Sequence, residues 1–252
     1  MQPLRGSVVI VTGAAQGIGE AIARTVAAGG AKLLLADLQS EKLEVVAETI
    51  RESGAEVETC TVDIADADSA RRARDMAERA VDSYGAIHPL VNNAGLDAPN
   101  SHACDIDADH WYKVVDVNLS GGWWCTSAVL PTMLTQRSGR IINISSVSAR
   151  LATPETSPAY SAAKAGLLGL TVSLSVQLEG KGILVNAITP GATGNTGTSV
   201  PDEVRGLYEA VLPLGFRGAQ PIADAVRFLL DKSGDWISGA VLNVSGGALR
   251  GM

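Results

Sequence analysis

Short apolar runs alternate along this chain with longer amphipathic stretches, and this alternation constrains the fold more than any other feature. Runs rich in β-branched residues and leucine are typical of buried parallel strands, and helical apolar spacing between them predicts helices that cover the sheet. The predicted strands are residues 7–12, 32–37, 57–62, 88–91, 140–144, 184–188 and 241–244. The pattern predicts a doubly wound, Rossmann-like α/β fold with about seven parallel strands between two helical layers (αβα).

Composition excludes several functional classes. The 252 residues are 46% hydrophobic, which is enough for one sizeable core, so we expect a single domain over residues 1–252. The formal net charge of −7 offers no positive field to nucleic acid or to an anionic membrane, so neither is an expected partner. The apolar runs are also shorter than the roughly 20 residues that span a bilayer.

The cysteines and histidines exclude further classes. Cys60, Cys104 and Cys125 are an odd number at wide spacing, which fits neither a disulfide framework nor a metal-binding pair. Because no export signal precedes the first strand, we expect a reduced, cytoplasmic protein. The histidines form no H-x-x-x-H pair and the chain has no G-x-S-x-G turn, so we expect neither a metal site nor a hydrolase.

A glycine-rich segment, Thr-Gly-Ala-Ala-Gln-Gly-Ile-Gly at residues 12–19, follows the first predicted strand. Glycines allow a sharp turn and let backbone amides approach a phosphate at the N-terminus of the next helix. The spacing G-x-x-x-G-x-G differs from the G-x-G-x-x-G of many dinucleotide folds, and an ordinary tight turn is the alternative interpretation. The segment predicts a pyrophosphate site if other motifs support it.

Asp37 ends the second predicted strand, 24 residues after Gly13. A carboxylate there can accept hydrogen bonds from the adenosine ribose hydroxyls. It would repel the 2′-phosphate of NADP, about 5 Å away, by roughly 1.5 to 6 kcal/mol. Since no Arg or Lys lies in the glycine-rich segment or just after Asp37, we predict NAD over NADP. The alternative is that Asp37 only caps the following helix.

Tyr160 and Lys164 are four residues apart in a segment, 158–180, whose pattern is helical, so their side chains share one face. Hydride transfer to a carbonyl needs a proton donor, and a tyrosine with its ordinary pKa near 10 is poorly matched to neutral pH. An ammonium about 4 Å away would favour the phenolate by on the order of 4 kcal/mol and so lower the pKa of the phenol. A pair at this spacing is common by chance and matters only in combination.

Three hydroxyl residues, Ser145, Ser146 and Ser148, follow the fifth predicted strand. Ligands of open α/β sheets bind beyond the carboxyl ends of the strands. A serine hydroxyl at that edge can donate a hydrogen bond to a substrate oxygen that gains charge in the transition state. The residues alone leave the choice among the three serines open.

Together these motifs resemble those of the short-chain dehydrogenase/reductase family over essentially the whole chain. They are the glycine-rich segment, Asn92-Asn93-Ala94-Gly95, the Tyr160-Ser161-Ala162-Ala163-Lys164 segment with a serine before it, and Pro190-Gly191. The resemblance implies an oxygen-polarising serine, a general acid/base, its activator and a residue that supports a proton-relay water. These roles fall on Ser146, Tyr160, Lys164 and Asn118.

The resemblance also implies the binding contacts. Those expected for NAD are Gly13, Gln16, Gly17, Ile18, Gly19, Asp37, Leu38, Asp63, Ile64, Asn92, Ala94, Gly95, Tyr160, Lys164, Pro190, Gly191 and Thr193. Those expected for the substrate are Ser146, Ser148 and Tyr160. Residues 191–215 form a candidate substrate lid, because the segment begins with an irregular stretch rich in Gly, Thr and Ser.

The chain departs from the family pattern at two places. Ser146 and Tyr160 are fourteen residues apart rather than about thirteen, so Ser145 or Ser148 could replace Ser146. The threonine expected after Pro190-Gly191 is displaced, which leaves Thr193 and Thr196 as alternatives for the nicotinamide contact.

The expected function is NAD-dependent hydride transfer between a secondary alcohol and its ketone. The resemblance further implies a homotetramer or homodimer that uses the helix after Asn118 and the helix of Tyr160. One alternative is a non-catalytic dinucleotide sensor on the same fold, which would have a degraded set of catalytic residues. Another is a nucleotide-sugar epimerase or dehydratase, which needs a longer C-terminal substrate region than this chain has. The identity of the substrate and the direction of the reaction are left open.

Overall fold

Seven parallel strands form one sheet within the residues that the computed structural model describes, which are 4–65, 68–96, 102–154, 156–194 and 202–250. The sheet order is β3-β2-β1-β4-β5-β6-β7. The strands are β1 (Val8–Thr12), β2 (Lys32–Asp37), β3 (Val57–Thr61), β4 (Pro89–Asn92), β5 (Gly139–Ile144), β6 (Ile183–Pro190) and β7 (Val241–Val244). This confirms the predicted doubly wound parallel fold.

Helices cover both faces of the sheet. Those of the described residues are α1 (Gly17–Ala28), α2 (Ser40–Glu52), α3 (Ser69–Tyr84), α4 (Ala108–Val115), α5 (Gly121–Gln136), α6 (Pro158–Leu178), α7 (Asp202–Val211) and α8 (Gln220–Leu230). A π-helical segment, Asp116–Ser120, joins α4 to α5. The three-layer αβα arrangement follows from the strands, which are buried on both faces and need cover on each.

The core is divided by the sheet into two clusters, because successive side chains of a strand point to opposite faces. Val9 and Val11 pack on one face with α1, α2 and α8. Ile10 packs on the other face with α3, α5 and α6. The apolar stripes of α1 and α2 that the sequence indicated, such as Ile22 and Val46, are buried in the first cluster.

All seven predicted strands are present: β2 and β7 have the predicted ends, and the ends of the others differ from the prediction by at most two residues. The largest difference is in β6, which continues to Pro190 because that residue is paired with Val244 of β7. Proline has no amide hydrogen to donate, and the next residue, Gly191, supplies the hydrogen bond to the carbonyl oxygen of Val244.

The sheet has its topological switch between β1 and β4, which are neighbours in the sheet although two strands and three helices separate them in sequence. The chain leaves these two strands toward opposite faces, so a crevice opens at their carboxyl ends. The glycine-rich segment follows β1 and the Asn92-Asn93-Ala94-Gly95 motif includes the last residue of β4. Both motifs therefore lie at the place where such sheets bind ligands.

One helical stretch of the described residues, Pro158–Lys181, is long and apolar enough to cross a membrane by length and composition. The sequence prediction considered uninterrupted apolar runs and did not consider this stretch. Core helices of water-soluble proteins satisfy the same criterion, and this helix packs on β6 and carries the buried Lys164.

Candidate active site

The glycine-rich turn is held by Asn93, a residue that the sequence analysis did not select. Its side-chain amide donates hydrogen bonds to the carbonyl oxygens of Thr12 and Gly13, both at 3.0 Å. Gly13 and Gly17 have φ values of 66° and 62°, in the left-handed region that favours glycine. A Cβ at Gly19 would overlap the carbonyl oxygen of Gly13 and lie 2.5 Å from Nδ2 of Asn93. The turn is therefore tightly packed. Gly13 and Gly17 are needed for their backbone conformation, and Gly19 is needed because a side chain there has no space.

Thr12 links this turn to the end of β4. Its hydroxyl oxygen accepts hydrogen bonds from the backbone amides of Asn93 and Ala94, both at 3.1 Å. The amide of Ala94, an expected cofactor contact, is thus used to join the two loops of the crevice. The two motifs predicted separately from sequence form one hydrogen-bonded unit.

Asn92, an expected cofactor contact at the end of β4, has its side chain directed into the protein interior. Its side chain is buried and donates hydrogen bonds to Thr126 on α5 and to Asn143 on β5, both at 2.9 Å. Asn143 in turn donates to the hydroxyl of Thr171 on α6 at 2.9 Å. Asn92 is therefore part of a buried polar chain between the sheet and two helices, and its side chain does not line the cofactor crevice.

Asp37 ends β2 beside the glycine-rich turn, where the prediction placed it. One carboxylate oxygen accepts a hydrogen bond from the amide of Ala15 at 3.0 Å, and the other accepts from the amide of Gln39 at 2.9 Å. Helix α2 begins at Ser40 with Gln39 as its N-cap, so Asp37 does not cap that helix. Its carboxylate is instead fixed between the turn and the sheet edge.

Lys42 is the first basic residue after Asp37, five positions further along the chain, and its side chain returns toward the glycine-rich turn. Its ammonium donates a hydrogen bond to the side-chain oxygen of Gln39 at 2.7 Å and another to that of Gln16 at 3.4 Å. Residues three apart on a helix are neighbours, so the N-terminal turn of α2 carries Lys42 back toward the glycine-rich turn. The sequence analysis considered only the positions directly after Asp37 and missed this spacing.

Lys164 is almost fully buried, with 4% of its surface exposed. Its ammonium donates to the carbonyl oxygen of Ile144, the last residue of β5, at 3.1 Å. It also lies 5.6 Å from the centroid of the Tyr160 ring, one helical turn away on α6. The structure thus places this charge beside the tyrosine at the carboxyl edge of the sheet, as the spacing predicts.

The three candidate serines have different environments. The hydroxyl of Ser145 donates to the carbonyl oxygen of Lys164 at 2.8 Å, which ties β5 to α6. The hydroxyl oxygen of Ser146 accepts from the amide of Ser148 at 3.1 Å, so Ser146 caps a short 3-10 turn, Val147–Ala149, that packs on α6. A hydroxyl that accepts can still donate its own proton, which favours Ser146 over Ser145 as the donor to a substrate oxygen.

Asn118 lies in the π-helical segment, a type of helix distortion that is frequent at functional sites. Its side-chain amide donates to the carbonyl oxygens of Leu96 and Val114, both at 3.0 Å. Its side-chain oxygen is buried and has no hydrogen-bond partner among the described residues. A Cβ at Gly95 would lie 2.9 Å from this oxygen and 3.3 Å from the ammonium of Lys164, so both atoms border the same space.

Five further residues that are expected to contact the cofactor lie at the same sheet edge. Leu38 follows Asp37 and is exposed, and Asp63 follows β3 and accepts a hydrogen bond from the amide of Ala65 at 2.9 Å. The side chain of Ile64 is buried against Gly121 at the start of α5. Gln16 and Ile18, on either side of Gly17, are half-buried at the start of α1.

The last of the predicted contacts follow β6. Gly191 approaches the C-terminal turn closely, because its amide donates to the carbonyl oxygen of Val244 at 3.2 Å. The hydroxyl of Thr193 donates to the carbonyl oxygen of Gly191 at 2.8 Å. Thr196 and residues 195–201 of the candidate lid lie outside the described residues, whereas α7 and the segment up to residue 215 lie within them.

Comparison with known proteins agrees with this geometry. Residues 7–203 match the family profile described as short chain dehydrogenase. The chain belongs to the short-chain dehydrogenase family. This confirms the resemblance inferred from the motifs.

Relatives of known name cover nearly the whole chain. It is 36% identical over 243 residues to the cis-4-hydroxycyclohexanecarboxylate dehydrogenase of Sinomonas cyclohexanicum, covering 95% of each chain. It is 32% identical to the 3-oxoacyl-(acyl-carrier-protein) reductase of Thermotoga maritima, covering 97% of this chain and 98% of the relative. A Sinorhizobium meliloti 1021 protein assigned to the short-chain alcohol dehydrogenases superposes with a TM-score of 0.91 at 27% identity, covering 100% and 99% of the two chains.

The residues of this short-chain dehydrogenase fit the nicotinamide dinucleotide that its family implies. The glycine-rich turn opens α1, whose N-terminal amides favour a phosphate group. Asp37 supplies a carboxylate beside this turn, and the buried oxygen of Asn118 lacks a partner within the described chain. These three features lie around the crevice between β1 and β4.

Proposed function

We propose that this protein is an NAD-dependent oxidoreductase that transfers a hydride between NAD(H) and a secondary alcohol or its ketone. The observation that carries the proposal is the buried ammonium of Lys164, 5.6 Å from the ring centroid of Tyr160 at the carboxyl edge of the sheet. Burying an ammonium is costly, and buried ionisable groups beside other titratable side chains are frequent at functional sites. The position of Lys164 beside a phenol therefore supports a catalytic role.

In the proposed mechanism, four residues have separate roles in proton transfer. Tyr160 takes the hydroxyl proton of the alcohol in oxidation and returns it to the alkoxide in reduction. The ammonium of Lys164 favours the phenolate and so lowers the pKa of Tyr160, while Ser146 donates a hydrogen bond to the substrate oxygen. Asn118 holds a water that passes the proton between Lys164 and solvent. A bound nicotinamide supplies the hydride acceptor or donor.

The preference for NAD over NADP rests on Asp37. Its carboxylate is fixed by two backbone amides next to the glycine-rich turn, so it cannot turn away from a 2′-phosphate without losing both hydrogen bonds. The remaining predicted contacts, from Gly13 to Thr193, hold the dinucleotide along the crevice in this proposal.

The substrate is a small molecule that carries a CH–OH or C=O group. One relative is named a dehydrogenase of a cyclic hydroxy acid and another a reductase of an oxoacyl thioester. Both names imply a substrate with this functional group. One name describes oxidation and the other reduction, and the rest of the substrate differs between them. We include Ser146, Ser148 and Tyr160 as the substrate contacts.

The proposal extends to assembly and location. Helices α5 and α6 expose large apolar side chains, among them Trp123, Leu134, Val172 and Val176. Exposed apolar groups of this kind mark contact surfaces, which supports a homodimer or homotetramer built on these helices. Cys60, Cys104 and Cys125 are free, which is consistent with a cytoplasmic protein. The proposed enzyme acts as one domain over residues 1–252.

The substitution Tyr160→Phe tests the reaction. We expect turnover with a panel of secondary alcohols and ketones to fall by about 10²- to 10⁴-fold, because the proton transfer is lost. Binding of NADH, followed by fluorescence titration, should be retained. Tyr112→Phe on α4, where the tyrosine is 63% exposed, removes the same hydroxyl away from the site and serves as the control.

Two outcomes would contradict the proposal in different ways. Near-normal turnover by Tyr160→Phe would show that another group transfers the proton. Wild-type protein that binds NADH but turns over nothing in the panel with either cofactor would instead favour the dinucleotide sensor.

A further inference from the structure

Lys42, Gln39 and Gln16 form a polar cluster, here called the lysine bridge, that connects α2 to the glycine-rich turn. The ammonium of Lys42 contacts the side-chain oxygens of both glutamines, at 2.7 Å and 3.4 Å. Gln39 is two residues from Asp37, and its backbone amide donates to the Asp37 carboxylate. The lysine bridge therefore lies beside the carboxylate that faces the cofactor ribose in the proposed function.

Lys42 forms no ion pair with the residues that the structure describes. Both of its acceptors are uncharged amide oxygens, and none of the ion pairs among the described residues includes it. The side chain is exposed, so the ammonium is accessible to a ligand. A positive group is thus held where the turn after β1 approaches the end of β2.

In the proposed function, these two loop ends form the walls of the adenosine ribose site. Asp37 stands on one wall and accepts a hydrogen bond from Ala15 of the other wall. Gln16 is the next residue of that second wall, and Lys42 reaches it. A phosphate on the 2′-oxygen of a ribose held by Asp37 would lie next to both the carboxylate and the ammonium.

We infer that Lys42 is a cofactor-specificity residue that opposes Asp37, so that the protein discriminates against a 2′-phosphate less strongly than Asp37 alone would dictate. This rests on the proposed function, because it requires the adenosine half of the dinucleotide to bind at Asp37. Lys42 attracts the phosphate that Asp37 repels, and it has no comparable contact with the uncharged ribose hydroxyl of NAD.

The expected effect is modest because the ammonium is exposed to solvent. A screened charge pair at this surface changes the affinity for a 2′-phosphate by about three- to ten-fold. The effect should diminish as ionic strength rises, since added salt screens exposed charges. A purely structural role for the lysine bridge would show neither the selectivity nor the dependence on salt.

The test compares nucleotides that differ only in the 2′-phosphate. Dissociation constants are measured by titration calorimetry for NADH against NADPH, and for 5′-AMP against adenosine 2′,5′-bisphosphate. The variants are Lys42→Met, which removes the charge, and Lys42→Arg, which keeps it. Lys181→Met removes an equally exposed charge at the opposite edge of the sheet, just before β6, and is the matched control.

We expect Lys42→Met to weaken NADPH and adenosine 2′,5′-bisphosphate by about three- to ten-fold at low salt, with NADH and 5′-AMP unchanged. Lys42→Arg and Lys181→Met should resemble the wild type. The same loss should appear in an Asp37→Asn background, where the repulsion is removed and NADPH binds more tightly.

Equal weakening of NADH and NADPH by Lys42→Met, or no weakening of either, would overturn the inference. A loss as large in Lys181→Met would also overturn it, since the effect would then be one of net charge. Failure of the proposed function looks different: the wild-type protein would bind neither NADH nor NADPH, and this inference would fail with it.

Discussion

The substitution Lys164→Met tests how much the buried ammonium contributes to the proposed proton transfer. The charge lies 5.6 Å from the centroid of the Tyr160 ring. At an effective dielectric of about 20, a unit charge at this distance favours the phenolate by roughly 3 kcal/mol, which corresponds to about 100-fold in the acidity of the phenol. Because Lys164 is 4% exposed, solvent screening reduces this effect less than it would at the surface.

The assay is the pH dependence of kcat for alcohol oxidation. We expect Lys164→Met to lower kcat near pH 7 by about 100-fold and to move the activity toward higher pH, because a phenol without the ammonium ionises only at higher pH. Lys164→Arg keeps a positive charge and should retain the wild-type profile more closely. NADH affinity is measured in parallel, since Lys164 is also a proposed cofactor contact.

The effect of Lys164→Met on catalysis can be separated from its effect on stability. The carbonyl oxygen of Ile144 loses its hydrogen bond from Lys164, which costs about 1–3 kcal/mol of stability, and this loss is read from the thermal unfolding midpoint. Reduced kcat with an unmoved pH profile would refute the electrostatic role of Lys164. Wild-type kcat in the variant would refute any role in catalysis.

Two further predictions concern folding. Gly19→Ala should destabilise the protein by about 1–3 kcal/mol and weaken NADH binding, because the added Cβ overlaps Gly13 and the turn must shift. Gly169→Ala on α6, where nothing lies within 4 Å, should instead raise the unfolding midpoint, and the reverse order of the two would contradict the packing argument. Burial lowers the pKa of His88 below its ordinary value, so at mildly acidic pH the unfolded chain binds more protons than the folded protein. The free energy of unfolding should therefore fall as pH drops through and below about 6.5. In urea unfolding, His88→Asn, which can keep an acceptor for the amide of Val8, should show a smaller fall, and an unchanged slope would contradict this assignment.

The sequence contained enough to predict the sheet and the proximity of Tyr160 and Lys164. Apolar runs located all seven strands, because strands buried on both faces need continuous apolar residues. The four-residue spacing of Tyr160 and Lys164 was sufficient to place the ammonium beside the ring, since helix geometry is local. Features that depend only on the spacing of residues within one strand or one helix can therefore be predicted from the sequence.

Contacts between distant segments were less predictable. Asn92 and Asn93 are adjacent polar residues in one motif, and no local pattern indicates which one faces the core and which one faces the glycine-rich turn. Asn93 reaches Thr12 and Gly13, about eighty residues away, whereas Asn92 reaches α5 and β5. The direction of each side chain depends on how β4 is set between β1 and β5.

By itself, the sequence determined the parallel sheet, the glycine-rich turn and the residue types at the site, because helix spacing, strand burial and glycine conformation are properties of short segments. The tertiary structure alone decided which serine ties β5 to α6, where Lys42 places its charge, and that the oxygen of Asn118 and the ammonium of Lys164 both lie next to Gly95. These facts depend on the register and packing of elements that are far apart in the chain, and no local pattern encodes a distance between them.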